Sequence, residues 1–166
     1  MTRPVHVALG GLAIALVLLA SAEVWYLGNA PATATDERPV VLGDLATRAA
    51  VDAAAQDLTE IVSTSYRNYD EQVAQATTLM TPEYAEAYRH TAADLRAAFV
   101  DARQETAAEV VLSGVVTATP ERVEALLFLD QQVSRDGGAP VRVPYRTLVT
   151  MTHTAHGWLV SAIETR

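Results

Sequence analysis

From Val5 to Ala22 the chain runs eighteen residues without an Asp, Glu, Lys or Arg. The stretch reads VHVALGGLAIALVLLASA, with His6 and Ser21 as its clearly polar members. At a rise of ~1.5 Å per residue it makes ~27 Å of helix, close to the thickness of a bilayer hydrocarbon core. Trp25 and Tyr26 follow where an interfacial aromatic belt would sit. Arg3 precedes the run, and Glu23, Asp36 and Glu37 follow it. Positive flanks stay cytoplasmic, so the N-terminus is expected inside and the rest of the chain outside. A second reading is a cleaved signal peptide, because Ala20-Ser21-Ala22 fits the small-x-small cleavage pattern. Against cleavage, the charged leader is thin and apolar character resumes at Val24–Leu27. The retained anchor is therefore the expectation, with secretion after Ala22 as its alternative. Both readings send the bulk of the chain across the membrane.

The expected organisation is an anchor over residues 1–27, a linker over 28–43 and an extracytoplasmic domain over 44–166. The linker, GNAPATATDERPVVLG, is rich in Gly, Pro, Ala and Thr and shows no periodicity. The chain has no cysteine, which excludes a disulfide framework, thiolate chemistry and lipoprotein attachment. A net charge of −8 argues against nucleic acid and against docking on anionic lipid through a basic patch.

Leu45 to Tyr69 contains no Gly or Pro, and Leu58, Ile61, Val62, Tyr66 and Tyr69 fall on one helical stripe. Asp70 starts a short second helix, capped by its own side chain, with Val73, Ala76, Leu79 and Met80 on one side. Thr81-Pro82-Glu83 starts a third: an N-cap, a proline in the first turn and an acid beside it. Tyr84, Tyr88, Ala92, Leu95 and Phe99 step along one face of this helix, which is expected to end near Arg103. The period changes at residue 106. Glu109–Thr119, Arg122–Val133, Val141–Thr154 and Trp158–Glu164 read as strands. Asp136-Gly137-Gly138 is a hairpin turn between the second and third of them. Along Val141–Thr154 one face carries Thr147, Val149, Met151 and His153. The other carries Arg142, Arg146, Thr150, Thr152 and Thr154. Three helices followed by four antiparallel strands make an α+β domain, with the helices on one face of the sheet.

The order of these segments, with three local words, resembles the Mce-associated membrane proteins of actinobacteria. The words are Tyr66-Arg67-Asn68-Tyr69-Asp70, Leu79-Met80-Thr81-Pro82-Glu83-Tyr84 and the closing Gly157-Trp158-Leu159-Val160-Ser161. The resemblance spans about residues 5–165. This chain departs from it at Pro82, where the family usually has Gly. The resemblance implies a cone-shaped domain, the fold of nuclear transport factor two and of SnoaL-type cyclases. It also implies a non-catalytic accessory subunit that meets Mce or permease subunits of an importer of fatty acids or sterols. No cofactor is implied.

The cone fold also hosts enzymes, and an isomerase or cyclase would need a buried carboxylate facing a Tyr or acid oxyanion donor. Asp94 and Asp101 fall off the apolar stripe of their helix, Asp130 falls on the Glu124–Gln132 face of its strand, and Asp70 suits a cap. Tyr66, Tyr69, Tyr84, Tyr88, Phe99, Met151 and His153 can line a cavity between helices and sheet. They can equally pack the helices onto the sheet, with the tyrosine hydroxyls bonded inside. His153 and His156 do not share a strand face, and no HExxH completes a metal site. No Walker loop, GxGxxG or GxSxG is present. Three roles therefore remain: an accessory subunit, a carrier of a lipid or small ligand, and, last, an enzyme of the isomerase type. Homodimers through the open sheet face also fit this fold. In the apolar segment, Gly10, Gly11 and Ala13 offer a small-residue strip for close helix packing. The intact mass of the mature protein should include residues 1–22; a mass beginning at Glu23 would replace the anchor with a secreted form.

Overall fold

The computed structural model describes residues 44–165. The apolar segment, the linker and the Gly10, Gly11, Ala13 strip lie outside them. Among the described residues no helix is long and apolar enough to cross a membrane.

Helix α1 (Asp44–Val62) opens the domain, followed by the two-residue strand β1 (Thr64–Ser65). Helices α2 (Tyr69–Thr78) and α3 (Pro82–Asp101) come next. Four strands close the chain: β2 (Gln104–Ala118), β3 (Arg122–Arg135), β4 (Val141–Thr154) and β5 (Gly157–Thr165). With β1 they form one five-stranded sheet in the order β1-β2-β3-β4-β5. Its first three ladders are antiparallel. The α+β architecture is as the sequence implies, with one strand more.

That extra strand corrects the first helix. The helical stripe was expected to run on to Tyr69, yet the helix stops at Val62. The next residues, Ser63-Thr64-Ser65, are hydroxylated and poor helix formers, and their side chains satisfy backbone groups elsewhere. Ser63 Oγ accepts the Ala108 amide at 3.1 Å. Thr64 and Ser65 pair with Thr106 and Glu105 of β2. Gln72 Oε1 accepts the Ser65 amide. Strand β2 accordingly begins at Gln104, five residues before the expected start, because this pairing and the β3 ladder extend it.

Helix α3 starts as expected. Thr81 is extended (φ −61°, ψ 151°) with Pro82 behind it, though its side chain makes no capping bond. The β3–β4 connection is the expected hairpin: Asp136 and Gly137 both take positive φ, 48° and 71°, as a type I′ turn requires.

The core is the contact of α1 with the sheet. Ala50, Val51, Ala54, Leu58 and Ile61 form the buried face of α1. Beneath them β3 buries Val123, Ala125, Leu127 and Leu129, and β4 buries Thr147, Val149 and Met151. The register stacks these side chains: Val123 opposes Met151, Ala125 opposes Val149 and Leu127 opposes Thr147. The alanines let the helix backbone come close to the sheet. Val160 and Ile163 of β5, Ala76 of α2, Met80 of the α2–α3 connection and Ala85 of α3 complete the cluster.

The sheet's two edges are treated differently. On the β5 side, the α2–α3 connection lies alongside. The Val160 amide donates to Leu79 O and the Thr81 amide donates to Val160 O, both at 2.9 Å. On the β2 side, β1 pairs with Glu105 and Thr106, and the flanking Tyr66 amide and Ser63 Oγ reach Gln104 O and the Ala108 amide. Leu127 is fully buried under α1, so Leu127→Ala should cost about 2–5 kcal/mol of folding stability, read as a lower urea midpoint.

Candidate functional site

The residues expected to line an interior cavity divide into two groups. Tyr69, Tyr84, Tyr88 and Phe99 come together between the helices. The Tyr69 hydroxyl donates to Ala92 O at 2.9 Å, and its ring meets Phe99 at 5.0 Å. The Tyr88 hydroxyl donates to Ile61 O of α1 at 3.4 Å. Tyr84 lies against the Ile163 backbone of β5. Burial raises the pKa of all three, and that of Tyr88 to about 12. They stay neutral and brace α3 to its neighbours. Met151 belongs to the packed core below α1.

His153 and Tyr66 stand apart. His153 was expected to share the inward face of β4, but it is exposed, its ring 4.8 Å from Trp158. The inward face of β4 ends at Met151, where the strand runs out toward the Gly157 turn. Tyr66 lies outside the helical stripe once α1 ends at Val62, and its ring carries the Arg67 guanidinium at 4.8 Å.

Of the candidate acids, Asp70, Asp94 and Asp101 are exposed and Asp130 is partly buried. Asp70 was expected to cap α2. Its carboxylate instead takes the Nε and Nη2 donors of Arg96, both at 2.7 Å, which ties α2 to α3. That hydrogen-bonded guanidinium lowers the Asp70 pKa. Asp94 pairs with His90, and Asp130 with Arg142. Among the described residues no group of three His, Asp or Glu side chains is arranged to hold a metal ion.

The open sheet face also differs from expectation. Of its five polar residues, Thr150 is buried, and Thr152 donates to Ser161 Oγ of β5 at 2.9 Å. Arg142 is held by Asp130, which leaves a narrower polar face than the alternation suggests.

Two surface features sit on the other side. A groove of about 640 Å³ runs between α1 and the start of β2. Ala55, Ala108 and Val110 line its apolar part; Asp52, Glu60 and Glu109 supply carboxylates, and Gln56, Thr59 and Ser63 complete it. None of the seven residues expected to line a cavity is among them. Elsewhere on α1, Asp57 is half-buried, and its pKa is raised to about 6 by desolvation first and by the Glu60 charge second. Past the groove, β2 continues as an uncovered strand. Val111, Leu112, Val115 and Val116 are 51–62% exposed. Two β-bulges, between Val110 and Leu112 and between Val115 and Thr117, bend this stretch. Sequence reasoning read the segment as a strand but had no sign that it would be bare; its β-branched composition is also that of a buried strand.

No protein-family model matches the chain, and no curated protein matches it in sequence. Solved structures are similar to it. An IcmL-like type IV secretion system protein from Legionella pneumophila has a TM-score of 0.61 at 12% identity, over 72% of this chain and 91% of that one. A periplasmic fragment of TraM has 0.61 at 9% identity, over 75% of this chain and 98% of that one. An Ntf2 like protein involved in plasmid conjugation has 0.50 at 12% identity, over 73% of this chain and 49% of that one. At these identities the likeness shows the fold, the cone of the nuclear transport factor two type.

Asp57 yields a sign-definite prediction. Its folded pKa, about 6, lies above the ordinary 3.8. The folded state thus holds a proton that the unfolded state has released, and stability falls as pH rises from about 4 to 6. Asp57→Asn should raise the melting temperature at pH 7 and converge with the parent chain below pH 4. A parallel pH profile for the two proteins would refute the assignment.

Proposed function

We propose that this chain is a single-pass membrane protein whose extracytoplasmic cone domain is a non-catalytic accessory subunit of an envelope transport machine. In its finer form, the machine is a lipid importer of the Mce type. The observation that carries the reading is the bare, apolar β2 on a domain in which the interior hydroxyls of Tyr69 and Tyr88 are occupied by backbone bonds. Such a surface suits protein contact, whereas the interior presents packed rings in place of a reactive pair.

Two further lines support it, at different depths. Similar cones occur in proteins described by secretion and conjugation, which supports an envelope machine in general. The Mce assignment rests on the three sequence words and their order. The apolar segment from Val5 to Ala22 would hold the domain beside its partners, and Gly10, Gly11 and Ala13 would let that helix pack closely against another.

Capture of the full chain from detergent-solubilised membranes, followed by mass spectrometry, tests both levels. Mce and permease subunits should be enriched above background. Enrichment of secretion subunits instead would overturn the Mce assignment and leave the accessory role standing; no enriched membrane subunit would overturn both. Replacing Gly10 and Gly11 with Leu should reduce co-purification without changing membrane insertion. Unchanged recovery would remove the packing role of that strip.

A further inference from the structure

The uncovered edge of β2 has a composition that matches itself. From Val110 to Thr119 the sequence is VVLSGVVTAT, ten residues without a charge, in a chain of net charge −8. β1 pairs with β2 at Glu105 and Thr106 only, and Ser63 Oγ takes the Ala108 amide. Beyond that point no described strand pairs with this side of β2. An edge with unmet backbone donors and acceptors and exposed valines is a template for another strand.

We propose that the strand that pairs there is β2 of a second copy, antiparallel, with a two-fold axis at Gly114. The arrangement follows from side-chain and charge matching. About that axis Leu112 meets Val116, Val111 meets Thr117, Ser113 meets Val115 and Val110 meets Ala118. Aliphatic or β-branched residues thus face each other in three of the four pairs, which is what stabilises cross-strand neighbours. The same two-fold sets each Glu109 opposite Thr119. The two Glu109 carboxylates then stand ten residues apart along the sheet, ~34 Å, so the acidic ends do not repel. Slipping the strands so that the two Glu109 residues meet would lose both features. The interface is isologous, as a two-fold homodimer requires, and it joins two five-stranded sheets into one. It differs from the face-to-face dimer expected from the sequence, and it does not depend on which machine the chain serves.

The cysteine-free chain makes the test clean. Gly114 is exposed, and a Cβ added there meets nothing within 4 Å. Gly114→Cys and, one residue away, Ser113→Cys are made separately in the full chain in membranes. Asp94→Cys on the exposed side of α3 measures random collision. Under mild oxidation at least one β2 variant should give a disulfide-linked homodimer on non-reducing gels, well above the Asp94→Cys level. Adding Leu112→Glu and Val116→Glu to the Gly114→Cys chain sets like charges across the axis and should lower dimer yield about fivefold or more. Dimer no greater than the Asp94→Cys control from both β2 variants would overturn the proposal. So would adducts with a different protein in place of the homodimer, or a yield unaffected by the two glutamates.

Discussion

The seating of α1 on the sheet, across β2, β3 and β4, is the contact from which the rest of the domain hangs. Its buried face is built from Ala50, Ala54, Leu58 and Ile61 with Val51 beside them. Small residues bring the helix axis close, and the larger Leu58 and Ile61 reach the sheet. Because α1 ends on this surface, Ser63 arrives at β2 and β1 can form. Because β3 and β4 hold a continuous register, their apolar residues stack under the helix instead of being scattered. Helix α3 is then held by hydroxyls: Tyr88 reaches back to α1 and Tyr69 of α2 reaches α3. Each of these bonds satisfies a buried polar group that would otherwise be costly to desolvate.

Both edges of the sheet are covered over a short stretch only, and they differ in what the rest exposes. The β5 edge is occupied by Leu79–Thr81, whose backbone completes Val160 on both sides. The β2 edge receives two residues of β1 and is then bare. Proteins commonly blunt such an edge with charge or proline. Here the sole device inside the exposed stretch is a pair of bulges, and no charge interrupts Val110–Thr119. An uncharged, bent but accessible strand is consistent with a surface kept open for a partner strand.

Much of this was legible in the residues. The stripes of α2 and α3, the Thr81-Pro82 start, the Asp136-Gly137 turn and the alternation of β3 all carry local signals that no tertiary contact overrides. The failures have a common cause. The stripe from Leu58 to Tyr69 keeps helical spacing across a break, because Tyr66 and Tyr69 are apolar for other reasons: one packs under Arg67, the other against Phe99. Alternation placed His153 inward, but burial of a strand face ends where the covering helix ends. Asp70 had the right position to cap a helix and found Arg96 instead, 26 residues away. Asp57 could not be picked out at all, since its shift comes from burial and from Glu60 in the folded state.

The sequence by itself determined the order of the elements, the α+β class and the absence of thiol chemistry. Spacing, turn residues and composition act within a few positions of the chain, and these are local properties. The tertiary structure alone decided that the Tyr69 and Tyr88 hydroxyls are spent on backbone carbonyls, that one sheet edge is bridged at Val160, and that the other exposes four aliphatic side chains. Those facts depend on which distant segment arrives to cover a surface. A β-branched strand reads the same whether it is covered on both sides or left open, so its exposure had to await the fold.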